Sequence, residues 1–279
     1  MTALWDSDAN WRYARGVARA LAGAVLFGLP LLMTMEMWSL GMNVEPRRLA
    51  LFLLANFLLL VILSRFGGFE PTSSVTEDIL DALAAYAIGM VASTAVLFLL
   101  ALANTSIPPD EMLGMIAIQS IPTSFGAMIT RKQFSAGGGE SEEDQEARTA
   151  GYAGQLFLMM AGALFLAFNI APTEEVLLIA FKMTPWHSLA LAGVSLFVLH
   201  ALVFNVGLTG QEAAPEGYGA GRVFLIFTVP GYAIAILMSL YVLWTFGRLD
   251  HGDLASIAES ATVLGFPASI GAAIARLVV

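Results

Sequence analysis

Apolar residues dominate the chain in long windows that short polar segments interrupt. A helix needs roughly 20 apolar residues to cross the hydrocarbon core of a bilayer. The windows predict eight membrane spans, at 18–42, 47–66, 78–103, 110–130, 151–171, 185–207, 222–247 and 254–277. The pattern is therefore typical of an all-α, polytopic integral membrane protein.

Composition agrees with this fold class and narrows the chemistry. The chain is 58% hydrophobic and only 13% charged, which leaves little sequence for a soluble domain. Because it has no cysteine, disulfides and thiolate metal sites are excluded. The three histidines are too scattered for a histidine metal centre, and no motif indicates a cofactor. A net charge of −9 argues against nucleic acid as a partner.

Two segments lie outside the predicted spans. Residues 1–17 carry tryptophan, tyrosine and arginine, which is typical of an interfacial segment at the membrane surface. The stretch 131–150 combines glycines with a run of acidic residues and predicts a flexible, solvated loop. This loop separates 18–130 from 151–279, so each half is predicted to hold four spans.

The two halves show an internal repeat. Four stretches of the first half recur in the same order in the second half, with offsets of 139 to 146 residues. The first stretch contains two motifs: Ala22-Gly23-Ala24 pairs with Ala161-Gly162-Ala163, and Thr34-Met35-Glu36 pairs with Thr173-Glu174-Glu175. The other three pairs are 49–67 with 189–207, 86–88 with 232–234, and 122–131 with 267–276. We therefore predict two four-helix repeats. Because each repeat has an even number of spans, the two repeats are predicted to have the same orientation in the membrane. If one segment is re-entrant rather than spanning, the repeats would be inverted.

The duplicated Thr-x-Glu is the leading candidate site. A carboxylate inside a membrane span is costly and usually functional. Glu36 and Glu175, with the hydroxyls of Thr34 and Thr173, offer oxygen ligands for a hard cation or a place to exchange protons. Glu174 is an alternative ligand. The other reading is that these carboxylates are hydrated near the headgroups, or that Glu175 only favours a helix N-terminus.

Other acidic residues are weaker candidates. Glu259 lies within the last apolar window but has no acidic counterpart in the first half. Acids at the predicted helix starts could form an outer vestibule or an inner gate, but acids at such positions are also ordinary caps. They are Asp110, Glu111, Asp250 and Asp253 on one side and Asp78 and Asp81 on the other.

Prolines are expected to bend or break the helices and to free backbone carbonyls. They are Pro30, Pro122, Pro172, Pro230 and Pro267. Pro172 predicts a separate short helix at 172–183. Small residues around Pro122 and Pro267 could equally let helices pack closely. Such faces suit packing within one chain or between copies in a homo-oligomer.

The stretches TMEMW (34–38) and PTEEV (172–176), together with eight spans, resemble a bacterial family of integral membrane proteins of unknown function. The resemblance covers nearly the whole chain. It implies a location in the bacterial cytoplasmic membrane and supplies no site residues. Counting Lys and Arg places nine on the inner side and four on the outer side when the N-terminus is inside, which predicts cytoplasmic termini.

These observations predict a cation transporter or channel, with or without proton coupling, whose partners are the lipid bilayer and an inorganic cation or proton. Nucleotide-binding, zinc-protease and serine-hydrolase motifs are absent, so an enzyme is not expected. One alternative is a scaffold or sensor that docks through 131–150. The other is an intramembrane enzyme acting on a lipid-soluble substrate.

Overall fold

The computed structural model describes residues 7–67, 74–104, 106–134, 151–204, 220–250 and 252–278, and the predicted all-helical class is confirmed. The helices are α1 (Ser7–Leu32), α2 (Met35–Asn43), α3 (Pro46–Gly67), α4 (Val75–Leu99), α5 (Pro109–Phe134), α6 (Tyr152–Ile170), α7 (Glu175–Lys182), α8 (Pro185–Phe204), α9 (Ala220–Val223), α10 (Val229–Thr245) and α11 (Leu254–Val278). A π-helical turn, Phe224–Thr228, joins α9 to α10.

Within the described ranges, eight helical segments are long and apolar enough to cross a membrane, as predicted. They are Ala14–Leu32, Pro46–Arg65, Val75–Leu99, Pro109–Ile129, Tyr152–Ile170, Pro185–Phe204, Gly221–Thr245 and Leu254–Arg276. The first boundary differs from the prediction, because the window 18–42 is not one continuous helix. It is interrupted at 33–34, between α1 and α2.

The chain forms two compact units, Met1–Glu143 (unit 1) and Asp144–Val279 (unit 2). Their boundary falls within the predicted loop 131–150. The first four residues of that loop are the end of α5, and 135–150 lie outside the described residues. Of the predicted interfacial segment, 7–17 is the beginning of α1 and 1–6 lies outside the description.

Each unit is organised around its last helix. In unit 1, α5 packs against α1, α2, α3 and α4, and most of its apolar window is buried. In unit 2, α11 packs against α6, α7, α8 and α10. Both units therefore run in the order long helix, short helix, then three long segments. This order is what a duplication would produce, and the duplication itself stays a prediction.

Glycines allow the first and last helices of each unit to touch backbone to backbone. A Cβ on Gly126 of α5 would overlap the carbonyl oxygen of Gly23 on α1. In unit 2, a Cβ on Gly162 of α6 would overlap the carbonyl of Gly271 on α11, and the reverse also holds. The repeated small-residue stretches thus meet each other within each unit, as close helix packing requires.

The same cap ends α4 and α10. The residues that follow, Ala101 (φ 57°) and Gly247 (φ 70°), adopt the left-handed conformation. Their amides bond to the carbonyls of Phe98 (3.1 Å) and Trp244 (3.0 Å), as in a Schellman motif. Ala101 is the only non-glycine with positive φ in the described part of the chain, and its Cβ makes this conformation costly.

The glycine contact predicts opposite effects for two Gly→Ala changes. Gly126→Ala should lower the free energy of unfolding by about 1–3 kcal/mol, because the added methyl overpacks α1 against α5. Gly193→Ala in α8 should raise it by about 0.5–1 kcal/mol, because a Cβ there meets nothing within 4 Å. Thermal unfolding in detergent measures both. Equal effects of the two changes would contradict the close contact.

The cap predicts a second stability difference. Ala101→Gly should stabilise unit 1 by about 1 kcal/mol, since glycine adopts positive φ without a Cβ clash. The matched change Gly247→Ala should destabilise unit 2 by a similar amount. Unfolding curves of the two variants would show shifts of opposite sign, and a loss of stability in Ala101→Gly would contradict the assignment.

Candidate functional site

The two Thr-x-Glu stretches lie where the first helix of each unit ends. The amide and Oγ1 of Thr34 both donate to the carbonyl of Leu31, at 3.0 and 2.8 Å. Those of Thr173 both donate to the carbonyl of Ile170, at 3.1 and 2.9 Å. A hydroxyl that satisfies a terminal carbonyl competes with the helix and ends it. The threonines therefore terminate helices, and only their oxygen lone pairs remain for a ligand.

In unit 1 this break lies beside the middle of α5. Nε2 of Gln119 donates to the same Leu31 carbonyl at 3.5 Å. Gln119 is ten residues beyond Pro109, which is about 15 Å along the axis of α5 and roughly half of its apolar window. Gly41 of α2 packs against α5 nearer its start, since a Cβ on Gly41 would lie 2.6 Å from Cα of Met115. α1 and α2 thus contact successive parts of α5, with the break between them.

Glu36 lies two residues beyond this break, in the first turn of α2. It is half-buried, and no described residue forms a hydrogen bond or ion pair with its carboxylate. The N-terminal end of a helix favours a negative charge. The sequence predicts Glu36 inside the first span, whereas the structure places it in the first turn of α2, after the candidate span Ala14–Leu32.

The corresponding turn of unit 2 is held differently. Arg248, in the loop after α10, donates through Nη1 to Oε1 of Glu174 and through Nη2 to the carbonyl of Pro172, both at 2.6 Å. Its side chain is only 17% exposed. The predicted short helix is confirmed as α7, although Pro172 lies in the preceding turn rather than in the first helical turn. Glu175 begins α7 and is exposed.

A layer of polar side chains, most of them buried, crosses unit 1 from the break at 33–34 toward the C-terminal end of α5. Gln119 and Thr123 occupy successive turns of α5, on either side of Pro122. Oγ1 of Thr123 contacts Oγ of Ser93 on α4 at 3.0 Å and donates to the Gly89 carbonyl at 3.1 Å. Pro122 has no backbone N–H, so the carbonyl of Ile118, four residues earlier in α5, lacks its usual helical donor.

Three helices meet at the other end of this layer. Nδ2 of Asn56 on α3 donates to Oη of Tyr86 on α4 (2.9 Å) and to Oγ of Ser124 on α5 (3.3 Å). The Tyr86 hydroxyl in turn donates to the carbonyl of Leu53 at 2.9 Å. We call Asn56, Tyr86, Ser93, Gln119, Thr123 and Ser124 the polar layer of unit 1.

Two oxygens of this layer have no hydrogen-bond partner. They are Oδ1 of Asn56 and Oε1 of Gln119, and both residues have 0% exposure. Leaving a buried acceptor unsatisfied costs about 1–3 kcal/mol. The layer therefore has capacity for a hydrogen-bond donor or a cation.

Unit 2 lacks the two amides of this layer at the aligned positions. Leu196 stands where unit 1 has Asn56, and Leu264 stands where it has Gln119. In the sequence, Asn56 and Gln119 are isolated polar residues within apolar windows, where such side chains usually form hydrogen bonds between helices. Comparing the two halves position by position singles out these two amides, because each aligns with a leucine.

His200 and Arg276 contribute to packing around the π-helical turn of unit 2. Pro230 deprives the Ile226 carbonyl of its helical donor, and the Tyr152 hydroxyl donates to it instead at 2.8 Å. Nδ1 of His200 lies 2.8 Å from Oγ1 of Thr228. The guanidinium of Arg276 lies over the rings of two phenylalanines, Phe204 and Phe227.

The remaining acidic candidates are mostly structural. Asp253 caps α11 by accepting the Ser256 amide at 2.8 Å, and the hydrogen bonds from the Ser256 hydroxyl and amide lower the pKa of Asp253. Asp78 is buried in an ion pair with Arg65 at 3.1 Å. Glu259 lies in the second turn of α11 and is half-buried.

The predicted prolines occupy three settings. Pro30, Pro122 and Pro267 lie inside α1, α5 and α11, Pro230 follows the π-helical turn, and Pro172 lies between α6 and α7. Among the residues that the structure describes, no group of three or more histidines and acids could hold a metal ion. Glu36 and Glu175 belong to different units, so their pairing stays a prediction.

The Arg248 contacts predict that two substitutions in this turn reduce the free energy of unfolding by different amounts. Arg248→Ala should lower the free energy of unfolding by about 1.5–3 kcal/mol, because it removes charged hydrogen bonds to a carboxylate and to a buried backbone carbonyl. Glu174→Gln should change it by less than about 1 kcal/mol, because Glu174 is an exposed partner. Unfolding in detergent compares them, and equal losses would contradict a role for the Pro172 carbonyl.

Comparison with known proteins supports the membrane assignment. Residues 16–279 match the family model described as "Putative integral membrane protein (DUF2391)". Searches of curated proteins and of solved structures gave no match. The family match covers nearly the whole chain and confirms the resemblance inferred from the sequence. The chain belongs to this family of integral membrane proteins.

Proposed function

We propose that the protein transports an inorganic cation, or protons, across the bacterial cytoplasmic membrane, with Glu36 as the main binding carboxylate. One observation carries the proposal. Glu36 follows a helix break beside the middle of α5, and the break is bonded to a buried polar layer that has unpartnered oxygens. Under this proposal the chain is not an enzyme.

The break provides the geometry that ion sites in transporters use. Discontinuous membrane helices expose backbone carbonyls and half-helix ends near the bilayer midplane. The Leu31 carbonyl marks the break but already accepts from Thr34 and Gln119, so the unpartnered oxygen beside the break is Oε1 of Gln119. A carboxylate kept at this depth is costly, and binding a cation offsets that cost. Glu36 would accept the ion or proton at the break, and Gln119 would offer the next oxygen.

In this proposal, unit 2 contributes less to cation or proton binding than unit 1. Its carboxylate Glu175 is exposed and stands as the second carboxylate of the predicted pair. Glu174 is a poor ligand, because Arg248 already neutralises it. In this proposal both termini lie in the cytoplasm, as the distribution of Lys and Arg predicts.

Flux in proteoliposomes tests the proposal. Wild-type protein should transport at least one of Na⁺, K⁺, Ca²⁺ and Mn²⁺, or protons, which a pH-sensitive dye inside the vesicles reports. Glu36→Gln should reduce that flux about tenfold or more, which corresponds to about 1.4 kcal/mol of lost binding. Glu175→Gln should reduce it less, since Glu175 is exposed.

Glu45→Gln is the matched control, because Glu45 lies at the start of α3 and pairs with Arg48 at 3.2 Å. It should leave flux within about twofold of wild type, a change worth only tenths of a kcal/mol. Wild-type flux in Glu36→Gln would refute the role of Glu36. A wild-type protein that moves none of these ions would refute transport and direct attention to bound lipids and to partners of the 131–150 segment.

A further inference from the structure

The π-helical turn Phe224–Thr228 is held by side chains from two other helices. The Tyr152 hydroxyl on α6 donates to the Ile226 carbonyl at 2.8 Å. Nδ1 of His200 on α8 lies 2.8 Å from Oγ1 of Thr228. A π-helical turn is a rare register that is found frequently at functional sites. One of the two contacts that support it therefore comes from a side chain of the type that titrates near neutral pH.

The direction of the His200 hydrogen bond follows from the burial of Thr228. Thr228 is 1% exposed, and in the described part of the chain its hydroxyl has Nδ1 of His200 as its one hydrogen-bond partner. If Nδ1 carried a proton, the hydroxyl hydrogen would be buried without an acceptor, which is costly. Thr228 is therefore assigned as the donor. The ring is then the neutral tautomer that carries its proton on Nε2.

Protonation of His200 removes this acceptor. An imidazolium donates from both ring nitrogens and accepts at neither. The Thr228 hydroxyl must then turn toward a backbone carbonyl, and a threonine within a helix bonds the carbonyl four residues earlier. That residue is Phe224, whose carbonyl already accepts the Val229 amide that closes the π-helical turn. Protonation thus replaces the contact with α8 by a bond that competes with the closure of the turn.

The charged groups around His200 oppose a further positive charge. On α11, the guanidinium of Arg276 lies 5.0 Å from the centre of the Phe204 ring. The centre of the His200 ring lies 5.4 Å from the same phenylalanine. On α9, Arg222 lies two residues before the π-helical turn. A protonated His200 would therefore be a third cation at this end of unit 2.

The described acids of unit 2 lie at the opposite ends of these helices. They are in or next to the first turns of α7 and α11, whereas His200 lies about 22 Å along α8 from its beginning at Pro185. Tyr152 and Tyr232 are the titratable groups that α6 and α10 contribute on the His200 side, and tyrosine is uncharged at neutral pH. The neutral ring is therefore the form that fits the packed turn. These acids are Glu174, Glu175, Asp250, Asp253 and Glu259.

We infer that His200 is a pH-sensitive contact that holds the π-helical turn when neutral and releases it when protonated. Histidine changes charge between about pH 5 and 8. Because the neutral ring accepts from Thr228, the contact is complete at the higher pH and is lost as the pH falls. In the proposed topology α8 ends at the cytoplasmic face, so the turn would respond to cytoplasmic pH. The inference concerns local structure and does not depend on the proposed transport.

A single spin label can follow the turn. The chain has no cysteine, so Leu225→Cys gives one attachment site for a nitroxide. Leu225 belongs to the π-helical turn and is 66% exposed, so a label there avoids the packed interior. Electron paramagnetic resonance of the labelled full-length protein in lipid nanodiscs covers about pH 8.5 to 5, which spans the titration of histidine. The share of the mobile spectral component should at least double as the pH falls.

Three variants in the labelled background identify the group that titrates. His200→Gln retains an oxygen that accepts from Thr228 but takes up no proton, so its spectrum should not change with pH. Thr228→Val preserves the shape of the side chain and removes the hydroxyl, so its label should be mobile at every pH. His187→Gln is the matched control, because His187 is exposed at the start of α8 and bonds Thr184 at 2.8 Å. It should keep the wild-type pH response.

A labelled wild-type chain whose spectrum does not change with pH would overturn the inference. So would a pH response that persists in His200→Gln, because another group would then be titrating. Where His200→Gln does not fold, Thr228→Val decides, and a label that keeps the wild-type pH response in that variant would overturn the inference. Flux through Glu36→Gln plays no part in these spectra, so failure of the transport proposal leaves this result standing and the reverse also holds.

Discussion

Close backbone contact between the first and last helix of each unit is the constraint on which the rest of the structure depends. Lipid tails are as apolar as leucine, so helices in a membrane gain little from hydrophobic burial and must gain from tight packing. Gly23 and Gly126 provide this contact in unit 1, and Gly162 and Gly271 provide it in unit 2. With α5 and α11 held in this way, the other helices of each unit have a central helix to pack against.

The units share this arrangement but differ in what they bury. Unit 1 encloses amides and hydroxyls at the middle of its spans, whereas the aligned positions Leu196 and Leu264 of unit 2 are apolar. A polar interior is costly where no water is available, so a layer that leaves acceptors unsatisfied is not explained by stability. Under the proposed function, this difference favours unit 1 as the half that carries the ion path.

The two helix breaks show how a threonine side chain can end a helix within a long apolar segment. Thr34 and Thr173 each use both an amide and a hydroxyl to close the end of the preceding helix. The short helix that follows has an acid in its first turn, which the N-terminal end of a helix favours. In unit 2 an arginine holds the turn from outside, and in unit 1 the corresponding contact comes from Gln119 within the bundle.

The sequence by itself determined the fold class and eight apolar segments, because these follow from composition and segment length. It also predicts two similar halves from the order of paired stretches along the chain. It also pointed to Glu36 and to the short helix near Pro172, since both interrupt an apolar pattern. Only the tertiary structure decided that α1 breaks beside Gln119, that Arg248 neutralises Glu174, and that Asn56 retains an unpartnered oxygen. Each of these depends on contacts between residues about 30 to 90 positions apart, which local periodicity cannot specify.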